Sequence, residues 1–375
     1  MSSPPVPVAL AHDYLTQRGG AERVAAIMAE AFPAAPLYTT LYEPGETFDD
    51  LGRVDIRTSP LNRVALFRKD HRVALPLYAP VVSRLTVDAE VLLASSSGWA
   101  HGIGCTGRKV VYCHAPARWL YQMDRYLGPD PGGLGSRARR ATMTASLAVL
   151  APSLRAWDRR QARTADRYLV NSSVIRWMVQ EVYGIEAEVL PPPPALQVDG
   201  ELEPVDSIER PFVLCVARLL PYKNVDAVIS AIREIDGLEL VVVGRGPDHE
   251  RLRSLIGTDP SIHLLGGVSE ETLRWLYTHT LGLVAASYED FGLTPLEAAS
   301  FGKPTAALHD GGYLDTIQPD CNGLFFERPD AESIRAGVAE MVGQSWDAAA
   351  IRSHAECFGK QRFCARLQDV VTSLR

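Results

Sequence analysis

Short β-branched runs alternate with amphipathic stretches along the whole of this sequence, interrupted once by four consecutive prolines at 191–194. The pattern opens with VPVALAHDY, a turn at Gly19 and Gly20, and a stretch in which Val24, Ile27, Met28, Ala31 and Phe32 fall on one helical face. Further strands are expected over 37–41, 54–57, 90–95, 109–114 and 167–171, with helices over 62–84, 136–164 and 172–182. Strands separated by helices pair in parallel and are covered on both faces. The proline run and the acidic VDGELEPVDSIERP behind it cannot occupy a central strand, so residues 191–210 are expected to form a semi-rigid linker. The alternation then restarts, with strands over 212–217, 238–243, 262–265, 281–286 and 305–308 and helices over 225–234, 248–256, 270–278 and 294–301. The expected fold class is α/β, with doubly wound domains over 1–190 and 211–358. In open sheets of this kind ligands bind at the carboxyl ends of the strands, so two such edges facing across a cleft would make a two-substrate site.

Length agrees, since 375 residues correspond to about two domains of roughly 150. The formal net charge of -7 argues against nucleic acid as a partner. It is an average of unlike parts. Residues 1–180 hold 22 Lys and Arg against 15 Asp and Glu, a balance of +7, while the remainder holds 16 against 30, a balance of -14. The six cysteines show no metal-site spacing and read as reduced core residues of a cytoplasmic protein. The N-terminal MSSPPVPVAL has neither the basic nor the apolar region of a secretory leader, and no run is long enough to span a bilayer.

The segment SYEDFGLTPLEAASFGKP, residues 287–304, carries the most chemical information. Local helix chemistry explains part of it: Thr294 and Glu297 have capping-box spacing, Pro295 suits the first helical position, and Gly302 with Pro304 marks the stop. It leaves Glu289 unexplained, an acid just beyond a strand, and it leaves the backbone NH groups of Phe291, Gly292 and Leu293 at a helix start. Free NH groups at the positive end of a helix suit a phosphate. Carboxylates beside them would suit sugar hydroxyls, which need acceptors.

Glu289 and Glu297, with seven residues between them in EDFGLTPLE, resemble the EX7E signature of the retaining GT-B glycosyltransferases of family 4. VARLLPYKNVD resembles the stretch in which that family's Arg and Lys grip the donor diphosphate, here Arg218 and Lys223. VVVGRGPDHERLR and IHLLGGVSEETLRWLY resemble the pair of loops that hold the base, around Gly244 and Val268, and DGGYLDTI resembles the GGxxE loop with Asp315 in place of Glu. In the first domain RGGAERV is similar to the glycine-rich loop that reaches the diphosphate, at Gly19 and Gly20, and VVYCHAPARWLY places His114 after a strand. The match is nearest the bacterial branch containing mannosyltransferases of O-antigen and exopolysaccharide assembly.

The resemblance implies two facing Rossmann-like domains, with the last helix, 359–375, packing back on the first. It implies a nucleotide-sugar donor, GDP-mannose before a UDP-hexose, a glycan or polyprenol-linked acceptor, and no metal or other cofactor. Glu289 would receive sugar hydroxyls, Glu297 the ribose, and His114 the sugar or acceptor, with Arg218, Lys223 and backbone NH groups neutralising the leaving diphosphate. Asp13 and Trp99 are acceptor-side candidates by their strand-end positions. Two rivals stand beside this reading. A Rossmann dehydrogenase lacks its fingerprint here, since Gly244-Arg245-Gly246 runs into Pro247 and not toward a third Gly; a non-catalytic GT-B scaffold would have no reason to keep Arg218, Lys223, Glu289 and Glu297 together.

Two basic stretches complete the reading. Arg63, Arg68, Lys69, Arg72 and Arg84 interleave with Leu66, Phe67, Leu75 and Leu77, and a second cluster comprises Arg137, Arg139, Arg140, Arg155, Arg159, Arg160 and Arg163. Each suits either a solvated helix face, with Arg stems covering apolar surface, or the anionic inner face of the cell membrane.

Overall fold

A computed structural model describes residues 6–122 and 150–375. The chain divides into two compact units, Met1–Pro191 with Lys360–Arg375, and Pro192–Gly359. Each is built on an all-parallel sheet, and together they have the GT-B fold.

The sheet of the first unit has seven strands in the order Ile56–Thr58, Leu37–Thr39, Val6–His12, Ala89–Ser96, Arg108–Cys113, Arg167–Val170, Glu188–Val189. Its central strand buries Val91, Leu92, Leu93 and Ala94 in succession, because helices cover both faces and neither parity of side chain meets water. One of those faces carries helix Gly20–Ala31 and helix Lys360–Thr372, whose Phe363, Leu367, Val370 and Val371 enter the same core as Val24, Ile27 and Tyr112. Gln368 donates to the Ala31 carbonyl at 2.8 Å, fixing the end of one helix to the other.

The expected helix over 62–84 is broken into the turns Pro60–Arg63 and His71–Ala74 and the helices Ala65–Lys69 and Leu75–Val82. Asp70 causes the middle break: its backbone is extended at φ -141°, and its carboxylate caps the next turn at the Arg72 amide. Of the helix expected over 136–164, residues 136–149 lie outside the described region and 150–162 are helical.

The sheet of the second unit runs Ile262–Gly266, Glu239–Val243, Phe212–Val216, Leu283–Ala285, Thr305–Leu308, Gly323–Phe326. The chain therefore starts in the middle, moves outward one way, and returns to the other side of its first strand. The edge strand Gly323–Phe326 and helix Ala331–Gly343, capped by Asp330 on the Ser333 amide, were not expected from sequence.

The segment after the prolines is no free connector but part of this unit. Leu196 is buried with Phe212 and Tyr277, and the Arg274 guanidinium donates to the carbonyls of Gln197 at 3.1 Å and Glu201 at 3.2 Å. The cysteines also depart from expectation: all six are free, yet only Cys113 and Cys215 are core residues, and Cys357 is exposed. Among the described residues no helix is long and apolar enough to cross a membrane.

Candidate functional site

In the second unit the sequence changes direction between Phe212–Val216 and Leu283–Ala285, which leaves a crevice at their carboxyl ends where no crossover covers the sheet. The loops that follow these two strands carry Lys223 and Glu289. Their side chains form an ion pair across that crevice, from Lys223 Nζ to Glu289 Oε1. Lys223 is 7% exposed and Glu289 32%, so the cation lies beneath and the carboxylate opens to solvent. Ser287 adds a hydroxyl bond to the same Oε1 at 3.3 Å.

Asn224 holds the two loops together. It adopts the left-handed conformation at φ 55°, which Asn tolerates better than most residues, and its amide donates to the Ala286 carbonyl at 2.8 Å. Burial pushes the Cys215 thiol, beneath this pair, up to about 12, with Lys223 pulling weakly the other way.

Behind Glu289 the chain turns into helix Leu293–Ser300, and the geometry corrects the capping-box reading. The N-cap is Gly292 at φ 87°, no side chain caps the helix, and Thr294 and Pro295 lie inside its first turn. Glu297 instead accepts the buried Tyr277 hydroxyl at 3.0 Å. Tyr313 explains why position 292 is glycine: a Cβ there would lie 2.5 Å from the Tyr313 ring. Tyr313 is buried, and its hydroxyl is held protonated first by that burial and second by the nearby Glu289.

Arg218 is exposed on the first loop of the edge. Gly244 lies so close beneath that loop that a Cβ would be 1.8 Å from the Ala217 carbonyl oxygen, and half-buried Val268 follows the next strand. The structure thus gathers Arg218, Lys223, Gly244, Val268, Glu289, Phe291, Gly292 and Leu293 along one carboxyl edge, with Glu297 one turn into the helix behind it.

In the first unit the corresponding edge carries Gly19, Gly20 and His114. Gly19 is the N-cap of helix Gly20–Ala31, and a Cβ on it would meet the buried Glu22 carboxyl at 2.5 Å. Burial raises the Glu22 pKa, with His12 acting against it. His114 Nε2 lies 2.8 Å from Ser95 Oγ, and His12 Nδ1 lies 2.9 Å from the same oxygen.

The acceptor-side candidates Asp13 and Trp99 are corrected. The Asp13 carboxylate turns inward and accepts the amides of Ser97 at 2.6 Å, Trp99 at 3.1 Å and Ala100 at 2.6 Å, closing the turn after the central strand. Trp99 is a core ring, stacked on Trp119 at 4.5 Å and tilted against Tyr78 and Trp157. Asp13→Asn, which turns one acceptor oxygen into a donor facing those amides, is expected to destabilise the protein by about 2 kcal/mol in urea unfolding; an unchanged midpoint would contradict this role.

Two rings of this unit give it an acid limit. Burial, reinforced by His12, lowers His114 to about 3, and burial, reinforced by Arg72, lowers His71 to about 4. Both stay neutral in the fold and gain a proton on unfolding below their ordinary value of 6.5. Acid therefore favours the unfolded chain, and stability is expected to fall as pH drops from 6.5 toward 4. His71→Asn should flatten part of that slope in urea midpoints taken across the range.

Sequence reasoning missed Ser95, His12, Asn224 and Tyr313. Only Asn224 carried a local signal, as a residue suited to the left-handed region directly before a helix.

Residues 204–356 match the family described as Glycosyl transferases group 1. Over 151 residues the chain is 33% identical to a GDP-mannose-dependent alpha-(1-6)-phosphatidylinositol monomannoside mannosyltransferase of Mycobacterium tuberculosis, a match covering 36% of this chain and 39% of that relative. The chain thus spans about two fifths of the length of that curated relative. Among solved structures, sucrose-phosphate synthase from Thermosynechococcus elongatus superposes with a TM-score of 0.72 at 17% identity, covering 98% of this chain and 99% of that one. Anabaena HepE in complex with UDP and glucose gives 0.69 at 14% identity, covering 98% and 100%.

Proposed function

We propose that this chain, with its GT-B fold and a second unit matching the group 1 glycosyltransferases, is a retaining hexosyltransferase that moves mannose from GDP-mannose to a glycan or polyprenol-linked acceptor. The observation that carries the reading is the Lys223–Glu289 pair across the crevice of the second sheet, beside the helix that starts at Leu293. Glu289 Oε1 is taken by Lys223 and Ser287, which leaves Oε2 to accept a sugar hydroxyl. Lys223, Arg218 and the amides of Gly292 and Leu293 offer positive charge to the diphosphate, which is the charge neutralisation a metal ion would otherwise supply. On this reading Gly244 and Val268 flank the base and Glu297 serves the ribose, while in the first unit Gly19 and Gly20 form a helix start of the kind that suits a phosphate.

In a retaining transfer without a protein nucleophile, the bond from the anomeric carbon to the leaving phosphate oxygen breaks. That oxygen takes the acceptor's proton, and the acceptor oxygen bonds the anomeric carbon on the same face. The protein's contribution is then placement and charge. GDP-mannose is favoured by the name of the mycobacterial relative.

Thermal protection and turnover across GDP-, UDP- and dTDP-sugars test the proposal. GDP-mannose is expected to protect and to turn over without added metal. Preference for a UDP-sugar would replace the donor, protection without turnover would favour a scaffold, and protection by none would overturn the reading.

The same proposal has the protein meet its acceptor at the cytoplasmic face of the cell membrane. Val64, Leu66, Val73 and Leu77 are exposed, Leu66 to 56%, among the exposed Arg63, Lys69, Arg72 and Arg84. Arg68 is instead paired with Glu43 at 3.0 Å, and in the second cluster Arg155 and Arg163 bond the carbonyls of Leu120 and Tyr183, while Arg137, Arg139 and Arg140 lie outside the described residues. Arg159 and Arg160 stay exposed, but only the first patch joins exposed basic residues to exposed apolar ones, which supports it as the lipid-facing surface of this proposal. It is expected to float the protein with anionic liposomes at low salt and to release it as salt rises; no flotation would favour a soluble acceptor.

A further inference from the structure

An ammonium carries three N–H donors and no acceptor, and one taken out of water needs compensation for its charge. Lys223 is only 7% exposed, yet among the described residues its Nζ has a single oxygen partner, Glu289 Oε1. That oxygen is shared, since Ser287 also donates to it. The second group at the charge is a ring: Lys223 Nζ stands over the face of Tyr222, 5.0 Å from its centre.

Both residues belong to one short turn, Pro221–Lys223, closed by the Lys223 amide on the Leu220 carbonyl at 2.9 Å and the Asn224 amide on the Pro221 carbonyl at 3.2 Å. Consecutive residues of a helical turn do not ordinarily face each other. Here the ammonium that meets Glu289 also meets its chain neighbour's ring. Tyr222 is 39% exposed, so little core packing depends on it. The negative face of an aromatic ring attracts a cation within about 6 Å, most strongly where water is kept away. A ring also differs from a second carboxylate in a way that matters at a binding site. It stabilises positive charge without taking up N–H donors as an oxygen would, so the ammonium is held in place with donors to spare for an incoming anion.

We propose that Tyr222 is a positioning residue whose ring face holds the Lys223 ammonium beside Glu289 and leaves its remaining N–H donors for the diphosphate of the nucleotide sugar. The ring contact belongs to the second unit by itself; the diphosphate rests on the hexosyltransferase reading above.

The contact can be tested without any activity measurement. The chain has five lysines, Lys69, Lys109, Lys223, Lys303 and Lys360, so proton–carbon spectra of the full chain labelled at lysine hold five sets of signals, and Lys223→Arg identifies the one that matters. Protons over an aromatic face are shielded. The Lys223 ε-methylene is therefore expected upfield of its ordinary position, to stay there in Tyr222→Phe, and to return in Tyr222→Leu. An unshifted signal in the wild type, or one that the leucine variant leaves in place, would overturn the proposal. Binding and turnover test the positioning role. Leucine keeps apolar bulk and loses the ring, so Tyr222→Leu is expected to weaken the preferred nucleoside diphosphate, tested as GDP and UDP, by about tenfold and to lower kcat/KM at least as much. Tyr222→Phe and Tyr222→Trp are expected to stay near the wild type, and nucleotide-free melts to be alike across the series. If the spectra show the contact but Tyr222→Leu binds and turns over like the wild type, the positioning role is overturned. A wild type that binds neither GDP nor UDP would instead overturn the hexosyltransferase reading, and the diphosphate with it, but not the ring contact.

Discussion

Glu289→Gln is expected to lower kcat by about 10²- to 10³-fold while leaving the protein folded. The amide keeps the size of the side chain and an oxygen for Ser287, so the loop after Leu283–Ala285 has no steric reason to move. What changes is charge. Lys223 is nearly buried and its ion-pair partner is this carboxylate; with an amide there, the cation is balanced chiefly by substrate, and a sugar hydroxyl meets a weaker acceptor. The loss should therefore fall on turnover more than on donor affinity. Glu297→Gln provides the contrast, since its carboxylate is engaged by the Tyr277 hydroxyl one turn into the helix, and a smaller loss, seen mainly in donor KM, is expected. Steady-state kinetics with the protecting sugar nucleotide, alongside thermal melts, separates these outcomes. Turnover by Glu289→Gln near the wild-type rate would sink the assignment of the site.

Much of the scaffold behind this pair was legible in the sequence because it depends on period. Runs such as Val241-Val242-Val243, apolar at every position, require a strand covered on both faces, and the helical stretches between them require crossovers. Strand Gly323–Phe326 escaped because four residues after an Asn are too few to establish a period. The helix over 62–84 was overcalled because its spacing is helical throughout, while the break depends on the local geometry of Asp70.

At the site, the limits were of another kind. Thr294, Pro295 and Glu297 carry the signals of a helix start, yet the start is set by Gly292 lying over the Tyr313 ring, a contact between segments far apart in sequence. Asp13 stands at a strand end like a site residue, but the amides it satisfies, at 97, 99 and 100, are brought to it only by sheet register. Ser95 and His12 were invisible for the same reason: the register that sets His12 beside Ser95 makes them partners, and neither has a local pattern. Positions that answer to their own segment could be read, and positions that answer to a distant backbone could not.

Gly311→Ala puts that distinction to an experimental test. Gly311 has φ 65°, and a Cβ there would lie 2.3 Å from the Glu289 carbonyl oxygen and 3.1 Å from the Tyr288 ring. That carbonyl also accepts the Gly312 amide at 2.8 Å, so the loop bearing Glu289 is sewn to this turn. Gly237 is the matched control: its φ is 77°, and a Cβ there would meet nothing within 4 Å. Gly237→Ala should incur only the left-handed strain, about 1 kcal/mol, with turnover unaffected. Gly311→Ala adds a backbone collision that no side-chain rotation relieves, so roughly 3–4 kcal/mol of destabilisation is expected. Because the yielding atom belongs to Glu289 itself, the Lys223 pair must shift with it, and turnover should fall more than about tenfold even at temperatures where the variant is folded. Equal losses in the two alanine variants would mean that the turn at Gly311 does not hold Glu289 in place, whereas a turnover loss confined to Gly311→Ala ties the site's acid to the backbone that positions it.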